Sequence, residues 1–106
     1  MKIKRFTKEE GGYHGELGFY CPGCKQIHFL NDNETNAECV NRWDFNKDYE
    51  RPTINPSYLT YYPDQTYRCH SFIRDGKIQF LPDCTHELAG KTVELPNLKE
   101  HEMDTH

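Results

Sequence analysis

Apolar and polar residues alternate in short runs along this chain, and each run ends at a turn signal. A period of two predicts strands rather than helices. Lys2 to Thr7 interleaves basic and apolar side chains, as an edge strand does, and Lys8 to Gly12 is turn chemistry because glycine tolerates positive φ. Glu16 to Tyr20 and Gln26 to Leu30 read as two strands flanking Cys21-Pro22-Gly23-Cys24. Asn31 to Glu38 is polar and loop-like. Cys39 to Phe45 reads as a strand carrying the only tryptophan, Trp43. Asn46 onward, with Arg51-Pro52-Thr53-Ile54-Asn55-Pro56-Ser57, is expected to be irregular. Its prolines remove backbone donors and argue against a central strand. Tyr58 to Tyr62 resumes as a strand and turns at Pro63-Asp64-Gln65.

The sharpest local signal is the hairpin from Tyr67 to Leu81, whose Asp75-Gly76 pair suits a type I′ turn. Pairing Arg74 with Lys77 places Ile73 opposite Ile78 and Ser71 opposite Phe80. Cys69, Ile73, Ile78 and Phe80 then share one face, which Cys84 would join if the strand ran on, and His70, Phe72 and Leu81 take the other. Pro82-Asp83 ends the strand. Thr85 to Ala89 could form one helical turn closed by Gly90, and Thr92 to Leu95 a last short strand.

These elements predict a mainly β protein: one small antiparallel β-sheet domain with a zinc-ribbon-like knuckle and few or no helices. Its 106 residues fit a single domain, expected over 1–96, with 97–106 as a flexible polar tail. Only 35% of residues are apolar and mean hydropathy is −0.97, so a metal cross-link would help a small core. No apolar run is long enough for a bilayer helix, and Met1 to Arg5 lacks the apolar stretch of an export signal, which points to a cytoplasmic protein. Five cysteines cannot all pair, and Cys-x-x-Cys with Cys-His clusters favours metal over disulfides in a reducing compartment. The net charge of −4, with scattered lysines and arginines, argues against sequence-indifferent nucleic-acid binding.

Zinc takes four sulfur or nitrogen donors in a tetrahedron. Cys21 and Cys24 supply half of such a site, and Cys69, His70, Cys84 and His86 offer more than the remaining half. Neighbouring strand residues face opposite ways, so only one of Cys69 and His70 is expected at the metal. The preferred set is Cys21, Cys24, Cys69 and Cys84 around Zn2+; the alternative exchanges Cys69 for His86. A thioredoxin-like redox motif would instead open a helix, and none is visible here. His28 is a further potential ligand, and Cys39, beside Val40 and Trp43, suits core packing.

With cysteines filling the shell, His70, His86 and Asp83 are left as candidate acid–base groups or as an open metal site. The simpler explanation is that one histidine completes the zinc shell and the others hydrogen-bond to backbone. Arg51, Thr53, Asn55 and Ser57 could present a guanidinium and hydroxyls to an anion, or simply satisfy turn backbone. Tyr58, Tyr61, Tyr62 and Tyr67 gather around one turn. With Arg51, the first three are the candidate partner-binding residues.

The order of the motifs adds a resemblance. It runs from Cys21-Pro22-Gly23-Cys24 and His28 through Trp43-x-Phe45-Asn46 and Glu50-Arg51-Pro52-Thr53-x-x-Pro56-Ser57. It continues with Cys69-His70-Ser71-Phe72-Ile73-x-Asp75-Gly76 and ends with Asp83-Cys84-Thr85-His86-x-Leu88-Ala89-Gly90-Lys91-Thr92-Val93. Over about residues 17 to 96 the chain resembles a family of small phage and prophage proteins of no established activity, often labelled ammonia monooxygenase. That chemistry requires copper and membrane-spanning subunits, so the label does not suit this chain. The resemblance implies a compact zinc-binding protein made in an infected bacterium, in the host cytoplasm.

Two functions are therefore expected. The first is a zinc-stabilised module that binds and modulates a host or phage protein. The second is a metal-dependent hydrolase acting on a phosphorylated or nucleotide-like substrate through the surplus histidines.

Overall fold

A computed structural model describes residues 1–36, 38, 41–64 and 66–98. The fold is mainly β, with two antiparallel sheets. The first sheet holds β1 (Ile3–Arg5), β2 (Leu17–Cys21) and β3 (Gln26–Leu30), in that order. The second holds β4 (Asp44–Phe45), β5 (Ile54–Tyr61), β6 (Arg68–Arg74), β7 (Lys77–Phe80) and β8 (Thr92–Glu94), also in chain order. Meander connections of this kind follow from the short, turn-bounded apolar runs. No helix is long and apolar enough to cross a membrane among the described residues.

One core serves both sheets. Ile3, Leu17, Phe19, Cys21 and Leu30 meet Ile54, Cys69, Ile73, Ile78, Phe80 and Leu95, all essentially inaccessible to solvent. Along β6 the period-two rule is explicit: Cys69, Ser71 and Ile73 are buried, whereas His70 and Phe72 between them are half-buried on the outer face. The hairpin has the expected register, with Arg74 opposite Lys77, Ile73 opposite Ile78 and Ser71 opposite Phe80. Asp75 and Gly76 both take positive φ, 49° and 78°, as a type I′ turn demands.

Four segments differ from expectation. Ile54–Tyr61 is a long interior strand despite Pro56. It tolerates proline because β4 pairs only with Ile54 and Asn55 and because the β5–β6 register shifts between Ile54 and Tyr58. The peptide bond before Pro56 is cis. Of the strand expected over residues 39–45, the described residues 41–45 hold only Asp44–Phe45, and Cys39 lies outside the described residues. Residues 85–89 form turns rather than a helix; Ala89 N–H donates to the His86 carbonyl, and Gly90 takes φ 77°. Leu98, placed with the tail by the sequence, is buried, and its N–H donates to the Met1 carbonyl. The tail beyond it lies outside the described residues.

The first sheet's outer end is tied down by Arg5, whose guanidinium donates twice to buried Asp32, at 2.9 and 2.8 Å. Burial works against the Asp32 carboxylate, but hydrogen bonds from Arg5 and Thr35 outweigh it and keep the group below its usual pKa.

Candidate active site and metal centre

The β5–β6 pair carries a polar constellation on its outer face. Ser57 lies within the register shift, one residue before regular pairing resumes at Tyr58, and its Oγ is 2.9 Å from Nε2 of His70 on β6. The other ring nitrogen, Nδ1, is 3.4 Å from Oδ2 of Asp83, which sits in the turn after β7. A carboxylate can only accept, so the proton of a neutral imidazole belongs on Nδ1, and Nε2 presents its lone pair to the serine hydroxyl. Arg68 Nη1 reaches the same Asp83 oxygen at 3.3 Å. Asp83 is held below its usual pKa: desolvation, the largest single effect, opposes this, but hydrogen bonds from Arg68 and His70 together outweigh it. The Ser57 backbone is itself anchored, because indole Nε1 of Trp43 donates to its carbonyl at 3.2 Å.

Serine, imidazole and carboxylate linked in this order form a nucleophile, a base and an orienting group. Such triads are recognised by geometry rather than chain order. The His70–Asp83 contact, at 3.4 Å, is at the long end of hydrogen-bond range.

On the inner face of the same strand lies the second centre. Cys21 and Cys24 from the β2–β3 knuckle, His28 from β3 and Cys69 from β6 bring donor atoms within 4.8 Å of one another, so the cluster could hold a metal ion. Cys21 Sγ and Cys69 Sγ are 3.8 Å apart. Two sulfurs at about 2.3 Å from one tetrahedral ion would be separated by about that distance. Among the described residues His28 Nε2 is buried without a hydrogen-bond partner, an orphan that a metal would satisfy. Negative charge concentrates on Cys24: hydrogen bonds from Cys21 and Cys69 pull its thiol far below the usual value. Its hydrogen bond to Cys24 pushes Cys21 up to about 11. The Tyr67 hydroxyl also donates to Cys24 Sγ at 2.8 Å.

Of the metal ligands expected from sequence, Cys21, Cys24 and Cys69 come together, with His28 as their fourth neighbour. Cys84 groups instead with Cys69 and His86. Its Sγ accepts the His70 N–H at 3.2 Å and its thiol donates to the His70 carbonyl. His86 approaches Cys69 through Nε2 at 3.3 Å, while Leu88 N–H donates to its Nδ1. Accepting there leaves the ring proton on Nε2, so His86 donates to the Cys69 sulfur. A Cβ on Gly23 would collide with the His86 ring, and Phe80 packs edge-on against that ring at 4.6 Å between centroids. Gly23→Ala is therefore expected to dislodge His86 and cost about 1–3 kcal/mol, read as a lower Tm. Metal content by elemental analysis should be unchanged, because His86 lies outside the four-donor group.

The polar run splits in function. Thr53 Oγ1 caps the Asp75 N–H at 2.9 Å, the backbone-satisfying role. Arg51 lines a charged pocket of about 430 Å³ with Lys2, Glu50, Asp75, Lys77 and Glu94. Ser57 alone joins the triad. Tyr58 packs inward against Phe19, His28 and Trp43 and donates to the Phe29 carbonyl, so it bridges the sheets. Tyr61 and Tyr62 remain exposed.

Residues 2–81 match the family described as bacterial ubiquitination-like system serine protease (BubE). The chain belongs to that family. The BubE match includes Ser57 and His70, as well as the four-donor cluster, and ends two residues before Asp83. Comparison with curated proteins finds no match, and comparison with solved structures finds none.

Proposed function

We propose that this chain is a serine hydrolase of amide bonds in proteins, with Ser57 as nucleophile, His70 as general base and Asp83 as the orienting carboxylate. The observation that carries the reading is the 2.9 Å approach of Ser57 Oγ to His70 Nε2, with Asp83 at the opposite ring nitrogen. The description of the BubE family as a serine protease supports it and suggests a protein of a ubiquitination-like system as substrate. In this reaction Ser57 Oγ attacks the carbonyl carbon and its proton passes to His70 Nε2. His70 returns that proton to the leaving amine as the carbon–nitrogen bond breaks. Water, deprotonated by His70, then releases the acyl group and restores the serine. Asp83 stays ionised, holding the Nδ1 proton and steadying the imidazolium.

The same proposal assigns Zn2+ to Cys21, Cys24, His28 and Cys69 as a structural ion, since four chain donors complete a tetrahedron and three sulfurs suit zinc. Of the two functions expected from sequence, a purely binding module leaves the triad without a purpose. A hydrolase remains, with a serine nucleophile in place of metal-activated water and a protein partner as its substrate. Four free cysteines gathered into potential metal-ligand groups support a reducing compartment such as the bacterial cytoplasm, and the phage-family resemblance is retained as a proposal about its origin.

The test is labelling with an alkyl fluorophosphonate, which reacts with activated serines, followed by peptide mapping. The adduct is expected on Ser57 and absent from His70→Ala. Labelling elsewhere, or equal labelling of the variant, would remove the assignment.

A further inference from the structure

Asp83 reaches His70 because the β6–β7 ladder breaks in a particular way. Extending the hairpin register would pair His70 with Leu81 and Arg68 with Asp83. The first of these bonds forms: Leu81 N–H donates to the His70 carbonyl at 2.9 Å. The reciprocal one does not, since the Leu81 carbonyl accepts Cys84 N–H at 3.1 Å and closes a β-turn over Pro82 and Asp83. That turn swings Asp83 out of the ladder. Two side chains take over the vacated positions on β6. The Cys84 thiol accepts the His70 N–H and donates to the His70 carbonyl, both at 3.2 Å. Thr85 donates its N–H to the Arg68 carbonyl at 2.9 Å, and its hydroxyl accepts the Arg68 N–H at 3.0 Å and donates to the Arg68 carbonyl at 3.2 Å.

We propose that Cys84 and Thr85 are positioning residues of the triad: in place of strand pairing, their thiol and hydroxyl clamp the turn bearing Asp83 against the strand bearing His70. Neither side chain touches Ser57 or a substrate position. Both act through the backbone of β6, and they set where the Asp83 carboxylate stands relative to Nδ1. A displacement of about 1 Å in such a group can cost on the order of 100-fold in rate.

The inference rests on the serine-hydrolase reading, and the experiment separates the two. p-Nitrophenyl acetate hydrolysis is measured for the metal-loaded wild type, Ser57→Ala, Thr85→Val, Thr85→Ser, Cys84→Ala and Cys84→Ser. Thr85→Val and Cys84→Ala should lower kcat about tenfold or more with KM within about twofold, and the two serine variants should recover most of the loss. In parallel, ¹⁵N NMR of His70 at alkaline pH reads its tautomer. The wild type should carry the proton on Nδ1, and Thr85→Val should shift population to Nε2–H. If Thr85→Val does not fold, Thr85→Ala, which admits water to the Arg68 N–H but restores no clamp, is expected to behave alike. A folded, metal-loaded Thr85→Val or Thr85→Ala that keeps both kcat and the Nδ1–H tautomer would overturn the proposal. Were the wild type no faster than Ser57→Ala, the hydrolase reading would fail. The tautomer would then decide the clamp alone, a shift supporting it and no shift overturning it.

Discussion

Ser57→Ala should lower ester and peptide hydrolysis by on the order of 10⁴-fold or more while leaving the fold intact. Removing the nucleophile from a triad leaves only the residual catalysis of binding and polar groups, because serine and histidine act as one unit. Stability should hardly move. Ser57 is half-buried, its hydroxyl bonds to His70 Nε2, and that nitrogen stays on a partly exposed face where water can replace the serine. Asp83→Asn should be milder, about 10²-fold to 10⁴-fold, for a different reason. A carboxamide can turn its NH₂ toward Nδ1 and favour the tautomer whose Nε2 already carries a proton. Steady-state kinetics and thermal melts on the same preparations check both effects. A Ser57→Ala protein within tenfold of the wild type would remove the serine from the chemistry.

Metal removal should unfold the domain altogether. Structural zinc in small domains supplies about 10 kcal/mol or more, comparable with the whole stability of a domain, about 5–15 kcal/mol. An ion in the cluster would draw β2, β3 and β6 together, and Cys21 and Cys69 lie within the core shared by the two sheets. Stripping the ion with a chelator under reducing conditions, or Cys21→Ser, should abolish the cooperative melt seen by circular dichroism. Cys84→Ser should retain one metal per chain, because that sulfur is engaged with the His70 backbone. Elemental analysis and the absorption of a cobalt-substituted sample would check the count and the sulfur ligation. A chelated protein melting within about 5 °C of the loaded one, a shift worth only about 1 kcal/mol at this size, would show the centre is not structural.

Much of the architecture was legible because local chemistry and global pattern agreed. Asp75-Gly76 pins the hairpin register, and the register alone puts Cys69 inside and His70 outside. The knuckle was equally plain from Cys21 and Cys24. Interior strand β5 was not, because Pro56 argues against a ladder position and nothing local announces that β4 stops before reaching it. Ser57 was named only as a possible anion-binding hydroxyl, and its pairing with His70 was hidden for the same reason. It sits on an irregular strand among Thr53 and Asn55, without the glycines that flank serine in a nucleophile elbow. His70 and Asp83 were visible as candidates, but their partner arrives only when the β5–β6 register closes. The choice among Cys84, His28 and His86 turned on where a two-residue turn sends the chain, which spacing does not encode.

Strand β6 also makes assembly self-checking. Successive residues, Cys69 and His70, face the metal cluster and the triad respectively. A slip of one residue would exchange them, burying the imidazole and exposing the thiol. A mis-registered chain would therefore lose both the four-donor cluster and the Ser57–His70 contact. Under the proposed function, hydrolysis would be confined to molecules that have completed folding, and a half-built copy would pose no hazard to its neighbours.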